Sequence, residues 1–345
     1  ATALENRLMV LTGGPGTGKT TIVNAILSLF EQQLDRVALA APTGRAAKRL
    51  SELTGRQAKT IHRLLEVDFS KGEDAVRFVH NESNPLRADV VIVDEMSMVD
   101  VKLFESLLAP LRPSARLILV GDADQLPSVG PGNVLGELLR SGVVPTVRLT
   151  EIFRQAAKSL IVSNAHGIVE GKMPQQGGKT DDFFMLEAGG AACQQLVCDL
   201  VSTRLPRSYG LDPVRDIQVL CPSRKGLLGT EAMNGMLQQL LNPPGPGRSE
   251  LRRGNRVWRK GDKVMQTCND YDLQYERQDG ENGAGVYNGD IGYIEQVDPS
   301  EPALRVRFDD RVVVYAAEQI EELEPAYAVT IHKSQGCEFP AVVIP

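Results

Sequence analysis

Leu8-Met9-Val10-Leu11-Thr12-Gly13-Gly14-Pro15-Gly16-Thr17-Gly18-Lys19-Thr20-Thr21-Ile22-Val23 decides the fold. Four apolar residues, 8–11, read as a buried strand. They run into a G-x-x-x-x-G-K-T spacing, and a helical apolar pattern leaves it over 21–27. A strand, a glycine-rich turn and a helix start in that order form a cradle for phosphate. Backbone amides wrap the anion oxygens, and the helix dipole already favours negative charge there. Gly14, Pro15, Gly16, Thr17, Gly18 and Thr21 line the cradle, Lys19 adds a point charge, and the Thr20 hydroxyl is placed to hold Mg²⁺. An ordinary glycine-rich turn would need neither Lys19 nor Thr20 in register. The stretch binds a nucleoside triphosphate.

Outward from this loop, the first 150 residues alternate apolar strands with helical patterns. The strands fall at 8–11, 37–41, 90–93 and 117–120. Continuous apolar runs of this kind fit a parallel sheet covered on both faces, which predicts an α/β domain of the P-loop type. Ligands in such sheets bind beyond the carboxyl ends of the strands. Those ends carry the phosphate loop, Pro42-Thr43-Gly44, Asp94-Glu95 and Gly121-Asp122. Between the second and third strands, two alternating runs around a glycine-containing turn predict a β-hairpin over 65–79, either a decorative insertion or one that projects toward a ligand. After residue 150 come a helical pattern at 156–171 and a strand at 216–221. Pro243-Pro244-Gly245-Pro246-Gly247 then reads as a linker. Short strands and turns from 257 to 320 predict a small β-barrel-like insert, in which the polar, glycine-rich 278–285 reads as a loop. Residues 327–335 and 341–344 return to helix and strand.

Val90-Val91-Ile92-Val93-Asp94-Glu95 is the second nucleotide signature. A buried strand delivers Asp94 to a Mg²⁺ shell, and Glu95 can orient or deprotonate a water attacking the γ-phosphate. The second carboxylate favours hydrolysis over transfer to a substrate hydroxyl. No N-K-x-D guanine-reading motif is present. Gln125, at the tip after the fourth strand, could bond the γ-phosphate or its water; a plain turn is the alternative. Arg154 could reach a nucleotide held on another domain and stabilise transition-state charge; a surface ion pair is its alternative.

Net charge is −6, so nucleic-acid binding would have to come from local positive charge. Two clusters offer it: Arg45, Lys48, Arg49, Arg56, Lys59 and Arg63, and the basic run of 248–263 around Trp258. A solvated helix face is the alternative for each. Five cysteines without a C-x-x-C pair read as reduced thiols of a cytoplasmic protein, and four scattered histidines argue against a metal cage. No apolar run is long enough to span a membrane.

The ordered set 13–20, 41–47, 60–62, 94–95, 121–132, 149–155 and 330–336 resembles the motifs of superfamily 1 helicases, and most closely the stand-alone RecD-like type of its 5′→3′ branch. The stretches 219–226 and 287–292 also resemble that type. The resemblance implies two RecA-like motor domains, at 1–147 and 148–345. The first would carry a strand-separating pin at 65–84 and the second an SH3-like insert at about 250–322. It implies ATP and Mg²⁺ as cofactors, single-stranded DNA and a single-strand/duplex junction as partners, a monomer, and a role in DNA repair or recombination. Pro42, Thr43, Gly44, Arg45, Thr60 and His62 match DNA-contacting positions, as do Thr330, His332 and Ser334, while Gly336 and Glu338 match a segment near the nucleotide. No adenine-reading glutamine motif precedes Gly13, and the last arginine motif would follow Ile344, so the resemblance implies a helicase core clipped at both ends. An RNA translocase, or an ATP-clamped binding module without efficient turnover, are the rival readings.

Overall fold

The computed structural model describes residues 1–33, 35–67, 77–153, 156–178, 181–246, 249–277, 280 and 282–345. The chain forms two compact units, Ala1–Leu186 and Glu187–Pro345.

In the first unit, β1 (Leu8–Gly13), β2 (Val37–Ala41), β3 (Ala58–Thr60), β4 (Val90–Val93), β5 (Arg116–Gly121) and β6 (Thr146–Leu149) make one sheet in the order β3-β2-β4-β5-β1-β6. Every pairing is parallel. The four strands read from the sequence are all present; β3 and β6 widen the sheet on its two edges. Side chains alternate between faces along a strand, and both faces are buried here. On β1, Val10 enters one core, with Val91, Val93, Leu117 and Leu119. Its neighbours Met9 and Leu11 enter the opposite core, with Val90, Ile92, Ile118 and Val120. The helix Lys19–Gln32 covers the second face because Val23, Ile26, Leu27 and Phe30, at helical spacing, are its buried stripe.

The chain at 65–67 and 77–80 runs antiparallel. Val67 bridges Phe78, the Val79 amide donates to the Glu66 carbonyl at 2.8 Å, and the His80 amide to that of Leu65 at 3.0 Å. The tip of the expected hairpin, 68–76, lies outside the described residues.

In the second unit, β7 (Ile217–Cys221) is the centre of a three-stranded parallel sheet. Its helical cover includes Gly190–Asp199 and Thr230–Leu241. The polypeptide then leaves through the short hairpin of β8 (Glu250–Arg253) and β9 (Arg256–Arg259). It builds β10 (Lys263–Gln266), β11 (Asp270–Arg277), β12 (Asn282–Val286), β13 (Ile291–Asp298), β14 (Ala303–Phe308), β15 (Arg311–Ala316) and β16 (Leu323–Pro325). These seven pair antiparallel in the order β12-β11-β15-β14-β13-β10-β16. The chain returns as β17 (Ala328–Thr330) and β18 (Ala341–Val343), which flank β7.

Two local expectations change. The loop read at 278–285 is strand from Asn282 onward. It carries no apolar alternation because its glycines sit against rings: Gly283 pairs with Tyr275, and a Cβ there would meet the Tyr275 ring. The helical stretch read within 327–335 is only a 3₁₀ turn, His332–Ser334.

The insert is fastened to the parallel sheet through Asp262, which is 1% exposed. Its carboxylate accepts from Gln238 Nε2 at 2.7 Å, Asn242 Nδ2 at 2.7 Å, Tyr327 Oη at 2.9 Å and the Arg259 amide at 2.8 Å. Burial pushes its proton affinity up, against those four donors. Beside it, Lys263 is equally buried and its Nζ lies 3.3 Å from the Ile217 carbonyl of β7. Asp262→Ala takes away an acceptor shared by four donors, of which Gln238 and Asn242 keep a second carbonyl, and is expected to cost about 3 kcal/mol in urea unfolding. A loss below about 1 kcal/mol would show that the network does not fasten the insert.

Candidate nucleotide site

Because all six strands of the first sheet run the same way, their carboxyl ends lie along one edge. That edge brings together Gly13 to Thr20 after β1, Pro42 to Arg45 after β2, Thr60 and His62 after β3, Asp94 and Glu95 after β4, and Asp122 and Gln125 after β5. The Thr330 to Glu338 segment belongs to the second unit. Arg154 lies outside the described residues.

The phosphate loop needs its glycines. Gly16 and Gly18 have φ of 73° and 79°, a region that costs an L side chain about 1–2 kcal/mol. Gly18 is also the N-cap of the helix Lys19–Gln32, so the loop turns directly into a helix start with its amides unshared. Lys19 Nζ donates to the carbonyls of Gly13 at 2.5 Å and Gly14 at 3.2 Å, and Thr17 Oγ1 to that of Gly14 at 2.8 Å.

The acid pair follows β4, whose four residues are all buried. Asp94 Oδ1 accepts from the Glu95 amide at 2.8 Å. Glu95 holds φ of 55°, uncommon for a non-glycine residue and a mark of a backbone bent to aim a side chain. Burial raises the Asp94 carboxyl, against the Glu95 amide and the Lys19 charge. Glu95 is raised further, to about 7, by burial and then by the neighbouring Asp94, with Lys19 and Arg49 pulling the other way. Asp122, 4% exposed, is also raised by burial. Gln125 Oε1 accepts from Ser97 Oγ at 3.5 Å, which ties the fifth strand's tip to the turn that follows the acid pair.

Next along the edge, Thr43 and Thr60 each cap a helix. Their hydroxyls accept from the amides of Ala46 at 3.2 Å and Arg63 at 3.1 Å, so two helix starts sit side by side. His62 packs against Phe78 at 5.8 Å between ring centroids, and burial pulls its imidazole below the usual range, with Asp100 opposing. In the second unit, Thr330 ends β17 and its Oγ1 accepts from the Lys333 amide at 3.4 Å. Ser334 Oγ donates to the Ile331 carbonyl at 2.7 Å, Gly336 has φ of 72°, and His332 and Glu338 are exposed.

Two residues not anticipated from the sequence lie on the phosphate loop. The Phe153 amide donates to the Gly16 carbonyl at 3.1 Å, and its ring, 58% exposed, covers Gly18 so closely that a Cβ there would overlap it. His166 Nε2 is 3.0 Å from the Pro15 carbonyl, and its ring fills the space a Cβ on Gly14 would need. Phe153 lies in the 149–155 motif, where only Arg154 was singled out, and His166 belongs to no motif; each reaches the loop through the fold.

A parallel sheet with a phosphate loop after β1, a polar strand tip after the neighbouring β5 and a buried acid pair after β4 beyond it has the plan of a P-loop nucleotide-binding fold. Residues 1–131 match the AAA domain family, and residues 233–308 match the ATP-dependent RecD-like DNA helicase SH3 domain. The chain is 40% identical over 338 residues to the ATP-dependent RecD2 DNA helicase of Deinococcus radiodurans, covering 98% of this chain and 43% of that protein. It is 32% identical over 375 residues to the RecBCD enzyme subunit RecD of Mycolicibacterium smegmatis, covering 99% and 64%. The chain thus spans about half to two-thirds of the length of these curated relatives. Two Pif1 helicase structures share its fold over 99% of the chain at 20% identity. One, of two coordinating Pif1 helicases at forked double-stranded DNA, gives a TM-score of 0.54 and is covered to 82%; the other, from Candida albicans, gives 0.52 and is covered to 86%. Over nearly its whole length the chain is similar to RecD-type helicases, and its second unit carries the SH3-like insert of that type.

Gly18→Ala is expected to weaken binding of a fluorescent ATP analogue at least tenfold with little loss of fold. Adding Phe153→Ala removes the overlap but leaves the alanine at positive φ, so it should recover part of the loss. No recovery at all would show that Phe153 does not pack on the loop in solution.

Proposed function

We propose that this chain is the motor core of an ATP-dependent 5′→3′ single-stranded DNA translocase that unwinds duplex DNA. The observation that carries the reading is the acid pair Asp94 and Glu95, set on the same sheet edge as Lys19 and electrostatically coupled to it. A nucleotide-binding fold without turnover has no need of a second carboxylate there. The likeness to the Deinococcus RecD2 DNA helicase supports DNA as the track, and repair or recombination is the setting we propose for it.

In this reading Lys19 and the loop amides hold the β- and γ-phosphates, and Glu95 takes a proton from the attacking water. Gln125 relays the state of the γ-phosphate to the turn holding Ser97, and Arg154 adds positive charge in the transition state. Thr20 and Asp94 would hold Mg²⁺. They fit it as hard oxygen donors, and the Asp94 carboxyl, raised by burial, has charge for a cation to offset. Bound there, the ion supplies neutralisation of phosphate charge. Pro42, Thr43, Gly44, Arg45, Thr60 and His62 grip the DNA backbone from the first unit, and Thr330, His332 and Ser334 from the second. Gly336 and Glu338 link the second grip to the nucleotide. Helix starts and hydroxyls suit phosphate, since they hold a strand without reading its bases. The domain plan that goes with this is a first motor domain over 1–147 with the pin at 65–84, and a second over 148–345 carrying the insert. Segment 148–186 rides on the compact body of the first.

Glu95→Gln should keep ATP affinity and lower DNA-stimulated turnover by about 10²–10⁴-fold, the usual weight of a general base. With ATP and Mg²⁺, the wild-type chain should open a 5′-tailed duplex and leave the matched 3′-tailed one intact. Preference for the 3′ tail, or ATPase stimulated by RNA and not by DNA, would overturn the assignment.

A further inference from the structure

The carbonyls of residues 13, 14, 15 and 16, consecutive in the phosphate loop, all accept hydrogen bonds. Those of Gly13 and Gly14 are held from within, by Lys19 and Thr17. Those of Pro15 and Gly16 are held from outside. The Phe153 amide donates to the second at 3.1 Å, and the first lies 3.0 Å from Nε2 of His166, 151 residues further along the chain. A carbonyl oxygen can only accept, so the proton of this contact sits on Nε2.

Holding a carbonyl decides where the next amide points. A trans peptide is planar, with its C=O and N–H on opposite sides, and the described residues contain no cis peptide. A Pro15 carbonyl drawn outward therefore turns the Gly16 amide inward, and the Gly16 carbonyl does the same for the Thr17 amide. The loop does not fix these planes by itself, since Pro15 is flanked by glycines and glycine tolerates many backbone angles. The helix that carries His166, Leu160–Val169, is held chiefly by polar clasps. Ile161, Ile168 and Val169 are exposed, and Asn164 is its one buried residue. The Asp182 carboxylate accepts from Ser159 Oγ at 2.5 Å and from the Leu160 amide at 2.8 Å, at the helix start. Asn164 exchanges two hydrogen bonds with the Gln175 backbone, at 2.8 and 2.7 Å. The imidazole is thus presented to the loop by a fixed support. It is also within electrostatic reach of the fifth strand's tip: burial raises the Asp122 carboxyl, and the His166 charge is among those opposing the rise.

We propose that His166 is a positioning residue of the nucleotide site, its Nε2–H holding the Pro15 carbonyl outward so that the Gly16 amide is aimed at the phosphates of a nucleoside triphosphate. This rests on the reading of residues 13–20 as a triphosphate cradle and adds to it a support from a distant part of the chain. The ring also fills the space beside Gly14, so donation and packing have to be separated.

Binding of a fluorescent ATP analogue with Mg²⁺ to the full chain separates them. His166→Phe keeps a ring beside Gly14 and removes the donor; affinity should fall about three- to tenfold, the weight of one hydrogen bond. His166→Gln gives up the ring but brings an amide N–H to the reach of Nε2, and it should recover most of that loss. A ring that only fills space predicts the reverse order. Wild-type affinity in His166→Phe, or affinity in His166→Gln no better than in His166→Phe, overturns the role. Lys19→Ala reports on the cradle itself: if that variant binds the analogue as the wild type does, the nucleotide reading of the loop falls instead.

Discussion

The parallel seating of β1 between β5 and β6 is the constraint on which the rest depends. Leu8 to Thr12 register residue by residue against Leu117 to Gly121, and Val10 to Gly13 against Thr146 to Leu149. A slip of one residue would send Val10 to the face that buries Met9 and Leu11 and would misplace the phosphate loop along the edge. Because both faces are packed, such a slip has no tolerable outcome. The hydrophobic core thus sets where the polar edge begins, and the glycines at 16 and 18 then turn the chain into a helix start within a few residues.

That edge concentrates carboxyl groups to a degree the core alone would not favour. Asp94, Glu95 and Asp122 are all pushed toward their neutral forms by burial, and Glu95 also by Asp94. Lys19 lowers each of them, yet its amine is turned onto the loop carbonyls of Gly13 and Gly14. Charges held this way store unfavourable energy in the folded protein. A fold keeps such a cluster where a cation and a phosphate chain are handled together. The left-handed backbone of Glu95 lies at the same place, at the turn that carries the chain from β4 to the buried Met96.

Much of this was legible because strand runs and the spacing of the phosphate loop are local properties. β2 and β4 could be placed to the residue from four or five consecutive apolar side chains, and Asp94 and Glu95 follow at once from where β4 ends. The contacts of Phe153, although it lies in the 149–155 motif, and of His166 were not legible. Their roles exist only because β6 lies beside β1 and the helix Leu160–Val169 folds back over the loop, contacts separated by more than a hundred residues. Asn282 to Gly285, taken as part of a loop, was misread for the opposite reason. Its composition is that of a loop, and what makes it a strand is the Tyr275 ring across the ladder, which supplies the packing the glycines lack. Within the Thr330 to Glu338 segment the spacing of hydroxyls and glycine was plain, whereas the meeting of Arg224, Arg256 and Lys333 on the Glu324 carboxylate could not be foreseen from positions 224, 256, 324 and 333.

Those four positions meet because the insert is rigidly fastened to the sheet it interrupts. Asp262 binds side chains from the helix before the insert and from the strand after it, so the two crossings between sheet and insert are tied at one buried point. Gln266 continues the tie, donating to Glu322 at 2.6 Å and accepting from Tyr315 at 2.8 Å, and so fixes the chain two residues before Glu324. A buried polar network of this kind adds little net stability over apolar packing, and its value lies in permitting one arrangement only. Were the insert free to rock, Arg256 would move by ångströms against Lys333, and three cations could not share one carboxylate at hydrogen-bond distance. The fastening is therefore what allows a β-barrel appended between two strands of a parallel sheet to hold one orientation against that sheet.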